Sequence, residues 1–504
     1  MKLKINKIIT LSALIVGFSA CEVTDIDPAN RIPESVAFGD KQRVAAAVNG
    51  AYEAAQQGFY AGAVQRGYPF GAASTAQGDM RGEDMYNDQL FYEVTYTNAW
   101  NATTANNNGM WISLYRLINR ANVVLEGVER ALGAGVLTTE EANRYKGEML
   151  FLRALSIHET LIHFSRPYSD DPSAPGVPYI TFALDDATKV AAGIEASDRG
   201  TVQQCYTKIL QDLDMAESLL GHEGRPYRAT KGAAVALKTR VKLHMQDWAG
   251  VLTEAQKFAT IGATYALADA PQVPFVSWTS NESVFSLQNS SASNPGVNGA
   301  LVNMYGNPAD GGRGLVKISP VIWKEDFWVE DDLRRTELTS TSTTGVFTTK
   351  YRAFGINDDP TPLIRYAEVV LNAAEAHARL DEPDEALDLL NSVRDRSLPD
   401  GVDSYTLGDL NDDVLTAILN ERRIEFLGEG RRWADIHRLA GEGILPGVPL
   451  KAQTRSVTAI AQYEGAAVTL DHSLPYSDTR FIWPIPLEET LYNSVLAEQQ
   501  NPGY

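Results

Sequence analysis

Hydrophobic positions follow a helical spacing in two long blocks of the chain. Between residues 111 and 132, and again between residues 202 and 220, large apolar side chains recur three and four positions apart. Residues at this spacing lie on one face of a helix. The pattern therefore predicts two amphipathic helices whose apolar faces are buried in a core.

Two further segments have the pattern of helix, short turn, helix. Residues 230–260 turn at 246–247, and residues 363–396 turn at 382–384, where Pro383 stands between two acidic residues. Helix pairs of this size are typical of tetratricopeptide repeats. We therefore predict an all-α fold, in which a tetratricopeptide-like scaffold of helical pairs carries a loop-rich, irregular ligand-binding region.

The irregular region is predicted from two stretches that lack helical periodicity. Residues 58–109 and 262–362 are rich in Gly, Asn, Ser, Thr and Pro, and their aromatic residues are scattered. A long irregular insertion in a compact helical body is more often functional than idle. We predict four segments: a lipoprotein signal peptide at 1–20, an N-terminal region at 21–261, an irregular ligand-binding insertion at 262–362, and a C-terminal helical region at 363–504.

The segment 420–438, NERRIEFLGEGRRWADIHR, combines many charges with apolar residues that are spaced for burial. Glu421 and Glu425 stand four residues apart and would share one helix face, where arginine side chains can meet carboxylates. We predict an interlocked structural helix pair that turns at Gly428 and Gly430. A solvated helix with surface salt bridges is the alternative for this segment alone.

The first residues have the layout of a secretory signal. Lys2, Lys4 and Lys7 precede an apolar run at 8–18, and small residues stand before Cys21. This junction resembles a lipoprotein signal, in which the cysteine becomes the lipid-bearing first residue of the mature chain. Ordinary cleavage at the small residues is the alternative. No later apolar run approaches the roughly 18 residues that span a bilayer, so we predict a body held at the membrane by a lipid on Cys21.

Charge and cysteine content narrow the possible partners. The chain has 64 acidic and 44 basic residues and a formal net charge of −20. Such a surface repels phosphate backbones, so nucleic acid is not an expected partner. If Cys21 carries a lipid, Cys205 has no cysteine to pair with, and a disulfide framework is excluded. Stability is then expected to come from a packed core.

Catalytic and metal motifs were considered and set aside. His158 and His163 stand five residues apart in HETLIH, so on a helix they point to different sides and cannot share a metal as an HExxH pair does. Cys205 stands in an amphipathic helical pattern, which favours a buried thiol over a nucleophile. We predict no cofactor and no metal site.

A glycosidase is the remaining catalytic alternative, because two carboxylates about 5 to 9 Å apart would suffice. Glu421, Glu425 and Glu429 are the obvious candidates, but arginines beside them would hold their pKa values low. A general acid needs a raised pKa. We therefore predict a protein that is not an enzyme and keep a surface glycosidase as the less favoured alternative.

Five segments follow one another along the chain: GEMLFLRAL at 147–155, RATKGAAVALKTRV at 228–241, LIRYAEVVLNAAEA at 363–376, the charged segment at 420–438, and FIWPIPLEETLYNSVLAEQQNPGY at 481–504. In this order they resemble motifs of the SusD/RagB family, the outer-surface nutrient-capture lipoproteins of Bacteroidetes-type bacteria. The resemblance implies an α-helical fold with four tetratricopeptide-like pairs and a loop-rich binding region. It also implies a role as the lid partner of a SusC-like TonB-dependent transporter.

The irregular stretches contain the residue types that bind sugars. Sugar rings present flat C–H faces rimmed by hydroxyls, which Trp and Tyr platforms with polar neighbours can bind. Core packing is the alternative for each aromatic residue. Trp328 is left out, because the segment 328–335 itself resembles a structural family motif. The candidate ligand-binding residues are Asp79, Arg81, Asp84, Tyr86, Trp100 and Asn101 in the first stretch and Trp278, Asn281, Tyr305 and Trp323 in the second.

These expectations combine into one functional prediction. The protein is expected to be a lipid-anchored protein of the outer membrane that faces the extracellular side. It would capture an oligosaccharide and deliver it to the TonB-dependent transporter. A peptide-binding uptake lipoprotein is the alternative within the family, and ligand contacts through backbone hydrogen bonds instead of aromatic platforms would distinguish it.

Overall fold

The computed structural model of the protein describes residues 34–58, 66–87 and 89–504. Cys21 and the predicted signal peptide lie outside these residues, so lipidation stays a prediction. Most regular structure in the described residues is helical, which confirms the all-α prediction. The helices are α1 Glu34–Ala37, α2 Lys41–Gln57, α3 Ala72–Met80, α4 Glu93–Tyr96, α5 Ala105–Gly133, α6 Thr139–Phe164, α7 Ala187–Glu195, α8 Val202–Leu219, α9 Lys231–His244, α10 Trp248–Gln256, α11 Val273–Val276, α12 Leu301–Tyr305, α13 Pro320–Trp323, α14 Leu333–Thr336, α15 Tyr366–Arg379, α16 Pro383–Arg394, α17 Val414–Glu425, α18 Arg432–Gly441, α19 Leu487–Tyr492 and α20 Ser494–Ala497.

The predicted long helices are present, and their ends follow capping rules. Helix α5 contains the periodic block 111–132, and α8 accounts for the block at 202–220. Helix α6 begins at a capping box, in which Thr138 and Glu141 satisfy each other's backbone N–H groups, and α8 begins at a second one. Trp111 is only 1% exposed and belongs to the core.

The two predicted helix pairs are also confirmed. Helices α9 and α10 form one pair and α15 and α16 form the other. The first turn contains Gln246 with φ of 60°, and the second contains Asp381 with φ of 64°, so each chain reversal uses a left-handed residue. Pro383 opens α16, where its missing N–H costs no helical hydrogen bond.

Short strands connect distant parts of the chain in antiparallel pairs. The pairs are β1 with β3, β2 with β6, β4 with β5, β7 with β10, and β8 with β9. In the pair β2–β6, β2 lies inside the irregular insertion and β6 crosses the C-terminal end of the insertion, directly before α15. The strands are β1 Met85–Asn87, β2 Ser283–Leu287, β3 Val316–Ile318, β4 Thr339–Ser342, β5 Gly345–Thr348, β6 Thr361–Arg365, β7 Gly447–Val448, β8 Lys451–Ala452, β9 Leu470–Asp471 and β10 Leu474–Pro475.

The structure contains two large hydrophobic cores among the residues that it describes. The first contains apolar side chains of α2, α5, α6, α8 and α9. The second, called the second core below, is built from both irregular stretches together with residues of 424–463. Helix α3 lies in the first irregular stretch and was not predicted. All nine of its residues are buried, so its sequence AASTAQGDM has no polar face that would give a periodic pattern.

Candidate functional site

The two irregular stretches form one folded unit. Strand β1 pairs with β3, so that Met85 lies opposite Ile318 and Asn87 lies opposite Val316. The backbone N–H at the start of α3, from Ala72, donates to the carbonyl of Gly299 at 3.1 Å. Candidate residues that are far apart in the sequence are therefore neighbours in the structure.

Asp79 and Tyr305 are brought together inside this unit. The Tyr305 hydroxyl donates to Asp79 Oδ2 at 2.6 Å, and the Gly430 N–H donates to Asp79 Oδ1 at 3.0 Å. Both side chains are buried, at 2% and 0% exposure. Burial raises the pKa of Asp79 to about 7, although these hydrogen bonds act in the opposite direction. The contact joins α3, α12 and the turn between α17 and α18.

Arg81 and Trp100 lie in a second buried contact. The Arg81 guanidinium carbon is 3.2 Å from the ring centre of Trp433 and 5.2 Å from that of Trp100. Arg81 also contacts His163 Nδ1 at 3.1 Å, and Trp100 Nε1 donates to the Tyr504 hydroxyl at 3.0 Å. Burial lowers the pKa of Arg81. An arginine enclosed by ring faces in this way holds the surrounding segments together.

The remaining candidates of the first stretch divide into buried and exposed ones. Tyr86 is fully buried, and its hydroxyl accepts from the Val457 N–H at 3.1 Å. Asp84 is buried in an ion pair with Arg423, with 2.6 Å between Oδ1 and Nη2. Asn101 is exposed, and its side-chain oxygen accepts from the Thr103 N–H at 2.8 Å within its own turn.

Most of the candidates that the sequence interpretation placed in ligand-facing walls are buried in the structure. Their side chains make contacts within the protein, although the buried Nε of Arg81 has no hydrogen-bond partner among the described residues, and a ligand would reach the enclosed side chains only if the unit opened. Ligand contact by any of these residues stays a prediction, and the burial of their side chains does not support it. The enclosed candidates are Asp79, Arg81, Asp84, Tyr86, Trp100 and Tyr305.

Two candidate tryptophans in the second stretch lie partly at the surface. Trp278 packs edge to face on Phe275, with 6.0 Å between ring centres. Trp323 packs edge to face on buried Trp328 at 5.2 Å, and the Arg335 guanidinium carbon lies 4.5 Å from its ring centre. Both tryptophans are half-buried and contact the second core from outside. The second core packs against one part of each indole, and another part of each indole remains accessible to solvent.

Asn281 is exposed but belongs to a different neighbourhood. Its side-chain oxygen accepts from Arg225 Nη2 at 3.3 Å, and its backbone carbonyl accepts from the Ala266 N–H at 3.3 Å. Arg225 also donates to the carbonyl of Thr264. These contacts place Asn281 beside the 264–266 loop and not on the second core.

Sequence reasoning missed Phe91, Phe354 and Arg313. The two phenylalanines are half-buried and contact the second core from outside, as Trp278 and Trp323 do. Arg313 is exposed, and its guanidinium carbon lies 5.7 Å from the ring centre of Phe91. In the described part of the chain, five half-buried aromatic side chains pack on the second core; four of them, Phe91, Trp278, Trp323 and Phe354, are called the aromatic surface below, and Phe327 is the fifth. In the sequence, the only sign of these aromatic residues is that they stand outside any helical period. That sign does not distinguish exposed rings from buried ones.

Strand β3 connects two parts of the aromatic surface. Arg313 stands three residues before β3, and Trp323 ends the short helix α13 that follows it. Three strand residues span roughly 10 Å. Val316 and Ile318, the first and last residues of β3, are both buried in the second core. The platform under the aromatic surface is therefore rigid.

The charged segment 420–438 forms the predicted helix pair, α17 and α18, with φ of 75° at Gly428 and 73° at Gly430. Glu425 is buried and pairs with Arg334, Arg365 and Arg396, with N···O distances between 2.6 and 3.1 Å. The solvated-helix alternative is therefore wrong.

The carboxylates of this helix pair differ in the direction in which their pKa values are shifted. Burial alone would raise the pKa of Glu425, but Arg396, Arg365 and Arg334 outweigh it and hold that pKa low, and the pKa of Glu429 is also lowered. The prediction of a low pKa was wrong for Glu421: its burial raises the pKa, and its ion pair with Arg334 does not compensate.

The histidine and cysteine predictions can also be compared with the structure. His158 and His163 are both buried in α6, at 1% and 0% exposure, and burial lowers the pKa of each. Cys205 is buried in α8, and burial raises the pKa of its thiol. Within residues 34–58, 66–87 and 89–504, no group of three or more His, Cys, Asp or Glu side chains could hold a metal ion.

Two family models match complementary parts of the chain. One is described as the SusD family and matches residues 281–504, and the other is described as starch-binding and associating with the outer membrane and matches residues 27–243. The fold, the helix pairs and both matches agree, and the chain belongs to the SusD-like proteins. This family consists of carbohydrate-binding proteins associated with the outer membrane.

Individual relatives agree with this assignment. SusD-like protein P2 of Formosa agariphila is 26% identical over 400 residues, which cover 67% of this chain and 74% of that protein. A SusD superfamily structure from Bacteroides fragilis has 27% identity and a TM-score of 0.76, covering 91% of this chain and 99% of that one. A SusD-like carbohydrate binding protein from Bacteroides vulgatus, at 18% identity, has the same fold with a TM-score of 0.73 and covers 91% and 98% of the two chains. Across the described part of this chain, no helix combines the length and apolar character needed to cross a membrane.

Proposed function

We propose that the protein binds an oligosaccharide at the outer face of the outer membrane and delivers it to a TonB-dependent transporter. The observation that carries the proposal is the aromatic surface, which consists of Phe91, Trp278, Trp323 and Phe354. Half-buried rings on a rigid core are the platforms that sugar C–H faces pack against. The description of the matched family as starch-binding supports a carbohydrate ligand.

The polar groups around these rings suit the edges of a sugar. Arg335 lies over the Trp323 ring, and Asn298 receives a hydrogen bond from Arg313 at 2.7 Å. Arg313 is exposed and can exchange its present contact for ligand hydroxyls, whereas Arg335 is partly buried and also donates to the backbone carbonyl of Trp323. The arrangement does not favour hydrolysis by Glu425 or Glu429, because the low pKa of each keeps both carboxylates ionised inside ion pairs, and Glu421, whose pKa is raised, is buried in an ion pair with Arg334.

The anchor and the transporter follow from the resemblance of the chain to the family. A lipid on Cys21 would hold the protein at the membrane, and Cys21→Ser is expected to abolish lipid labelling and to release the protein from outer-membrane fractions. Mild detergent extraction of native membranes should recover the protein together with a SusC-like transporter, as mass spectrometry would detect. Recovery of the protein alone would contradict the partnership.

Titration calorimetry tests the ligand class. Purified protein without residues 1–20 is titrated with neutral and acidic oligosaccharides and, in parallel, with mixed peptides of similar mass. We expect saturable binding of at least one oligosaccharide and no heat from the peptides. Binding of peptides alone would overturn the carbohydrate assignment in favour of the peptide-uptake alternative. Release of reducing ends during long incubation would show that the protein is an enzyme.

A further inference from the structure

Phe91 holds two cationic side chains over one ring. The guanidinium carbon of Arg66 lies 5.0 Å from the ring centre, and that of Arg313 lies 5.7 Å from it. The ring is half-buried against the second core, while its neighbour Leu90 is 74% exposed. The negative face of an aromatic ring attracts cations and reduces the cost of bringing two like charges together. The two guanidinium groups therefore form a cationic feature of the surface at Phe91.

Arg313 is an exposed arginine in an acidic chain. Within the described parts of the chain it forms no ion pair, and its hydrogen bond goes to the neutral side-chain oxygen of Asn298 at 2.7 Å. Some other exposed arginines pair with carboxylates, as Arg455 does with Glu93 at 2.7 Å and Arg480 does with Asp478 at 2.7 Å, whereas Arg120 and Arg352 donate to backbone carbonyls. With 64 acidic residues available against 44 basic ones, an exposed guanidinium beside a neutral amide retains most of its capacity to bind an anion.

We propose that the oligosaccharide bound at the aromatic surface carries acidic groups, either uronate carboxylates or sulfate esters, and that Arg313 and Arg66 bind them. This inference rests on the proposed function and adds the chemical class of the ligand. A guanidinium presents its N–H groups as a planar fork that matches the two oxygens of a carboxylate or a sulfate. The strand β3 leads from Arg313 towards Trp323. A chain of sugar units could therefore place an acidic group at Arg313 and the face of a sugar ring on Trp323.

The overall charge of the protein makes this contact selective. A net charge of −20 repels anionic polymers that meet the surface elsewhere. Only a ligand that brings its acidic group within hydrogen-bond distance of the arginines gains enough to overcome that repulsion. Neutral oligosaccharides would pack on the rings but gain nothing from the cationic pair.

Matched ligands test the inference by titration calorimetry. The first pair is an oligogalacturonide and its carboxyl-reduced, neutral form. The second pair is a sulfated galactan oligosaccharide and its desulfated form, which separates sulfate from carboxylate as the preferred group. We expect one acidic member to bind about ten- to a hundredfold more tightly than its neutral partner, the range expected for hydrogen bonds to a charged group. Arg313→Gln should remove that preference while leaving affinity for the neutral form unchanged.

Arg352→Gln is the matched control variant. Arg352 is an exposed arginine of the same irregular stretch, but its guanidinium donates to the backbone carbonyls of Thr349 and Glu337. This variant should retain the preference for the acidic ligand. Thermal melts establish that each variant is folded, and Arg66→Gln provides an independent test of the cationic pair.

The possible outcomes separate this inference from the proposed function. If a neutral oligosaccharide binds as tightly as its acidic partner, and Arg313→Gln changes neither, the acidic ligand is wrong and carbohydrate binding stands. If Arg352→Gln weakens acidic binding as much as Arg313→Gln does, general charge and not this site is responsible, and the inference is overturned. If no oligosaccharide of either kind binds, the proposed function itself is wrong and the inference falls with it.

Discussion

In the C-terminal helix pair α17–α18 and the elements packed against it, arginines meet carboxylates inside the protein. On the aromatic surface of the irregular unit, arginines lie over rings at the edge of the solvent. Glu425 is 3% exposed and has three arginine partners, whereas Arg313 is exposed and has an amide and a ring. The same side chain therefore serves folding in one region and remains accessible to a ligand in the other.

The difference follows from desolvation. Removing a charged pair from water is costly, and the cost is recovered only when the geometry is good and every partner is present. A surface cation over a ring remains hydrated and can exchange its contacts at little cost. We therefore expect substitutions in the helix pair to change the free energy of unfolding, and substitutions on the aromatic surface to change affinity.

The largest expected effect is that of Glu425→Ala. It leaves the guanidinium groups of Arg334, Arg365 and Arg396 without their shared carboxylate, and the loss of one partner in a buried pair costs about 3–5 kcal/mol. Chemical denaturation measures this cost. Glu93→Ala, which breaks the surface pair with Arg455, is the control and should cost less than about 1 kcal/mol. If Glu425→Ala instead folds stably and loses ligand binding, our assignment of the ligand site to the aromatic surface is wrong.

Trp100→Ala sharpens the comparison within the predicted site residues. Trp100 is 4% exposed, contacts Arg81 and Trp483, and donates to Tyr504, so its removal should create a cavity. We expect a loss of about 3–5 kcal/mol in the free energy of unfolding, with the affinity of the folded protein unchanged. Reduced affinity at unchanged stability would instead support the original interpretation of Trp100 as a ligand platform.

Asp79→Asn tests the buried joint through its dependence on pH. Burial raises the folded-state pKa of Asp79 to about 7, above an unfolded value near 4. The folded state therefore binds the proton more tightly, so the stability contributed by this carboxyl is present below about pH 4 and lost as the pH rises through 7. Relative to Asp79→Asn, the wild type should lose about 1.4 kcal/mol per pH unit between these limits.

Denaturation at pH 4.5, 5.5, 6.5 and 7.5 would reveal this slope. Asp310→Asn, which changes an exposed carboxylate of the second stretch, is the control and should show no comparable trend. A stability difference between wild type and Asp79→Asn that stays constant across the series would show that Asp79 titrates as an ordinary surface acid.

The smallest expected effect is on affinity and comes from the half-buried tryptophans. Loss of one indole platform should cost about 1–2 kcal/mol of binding free energy, or about five- to thirtyfold in affinity, when Trp323→Ala or Trp278→Ala is titrated with a bound oligosaccharide. Trp248→Ala is the matched control, because Trp248 is half-buried on the helical scaffold with the Arg379 guanidinium 4.9 Å from its ring centre. If Trp323→Ala, Trp278→Ala and Trp248→Ala all bind the oligosaccharide with the same affinity, Trp323 and Trp278 do not belong to the site.

Local pattern predicted the parts of the fold that have a buried and an exposed face. Helices α5 and α8 and the pairs α9–α10 and α15–α16 were found because their apolar residues recur with the period of a helix. Helix α3 was missed because all of its faces are buried and its residues are small. A helix without a solvent face has no periodic signal.

Residue type predicted the irregular stretches but not which of their side chains face outward. Trp100 and Trp323 look alike in the sequence, yet the first is enclosed by Arg81, Trp483 and Tyr504 and the second is half-buried. Phe91 and Arg313 belong to different stretches, and no local spacing connects them. Their contact exists only because β1 and β3 pair.

The sequence by itself determined the helical scaffold, the position of the two irregular stretches, the structural nature of the charged C-terminal helix pair and the resemblance to the SusD/RagB family. Only the tertiary structure decided which candidate residues are enclosed, that burial raises the pKa of Glu421, and where an accessible arginine meets a half-buried ring. The physical reason is that helical periodicity is a local property of neighbouring residues. Exposure and pKa depend on side chains from distant segments, which only the packed fold brings together.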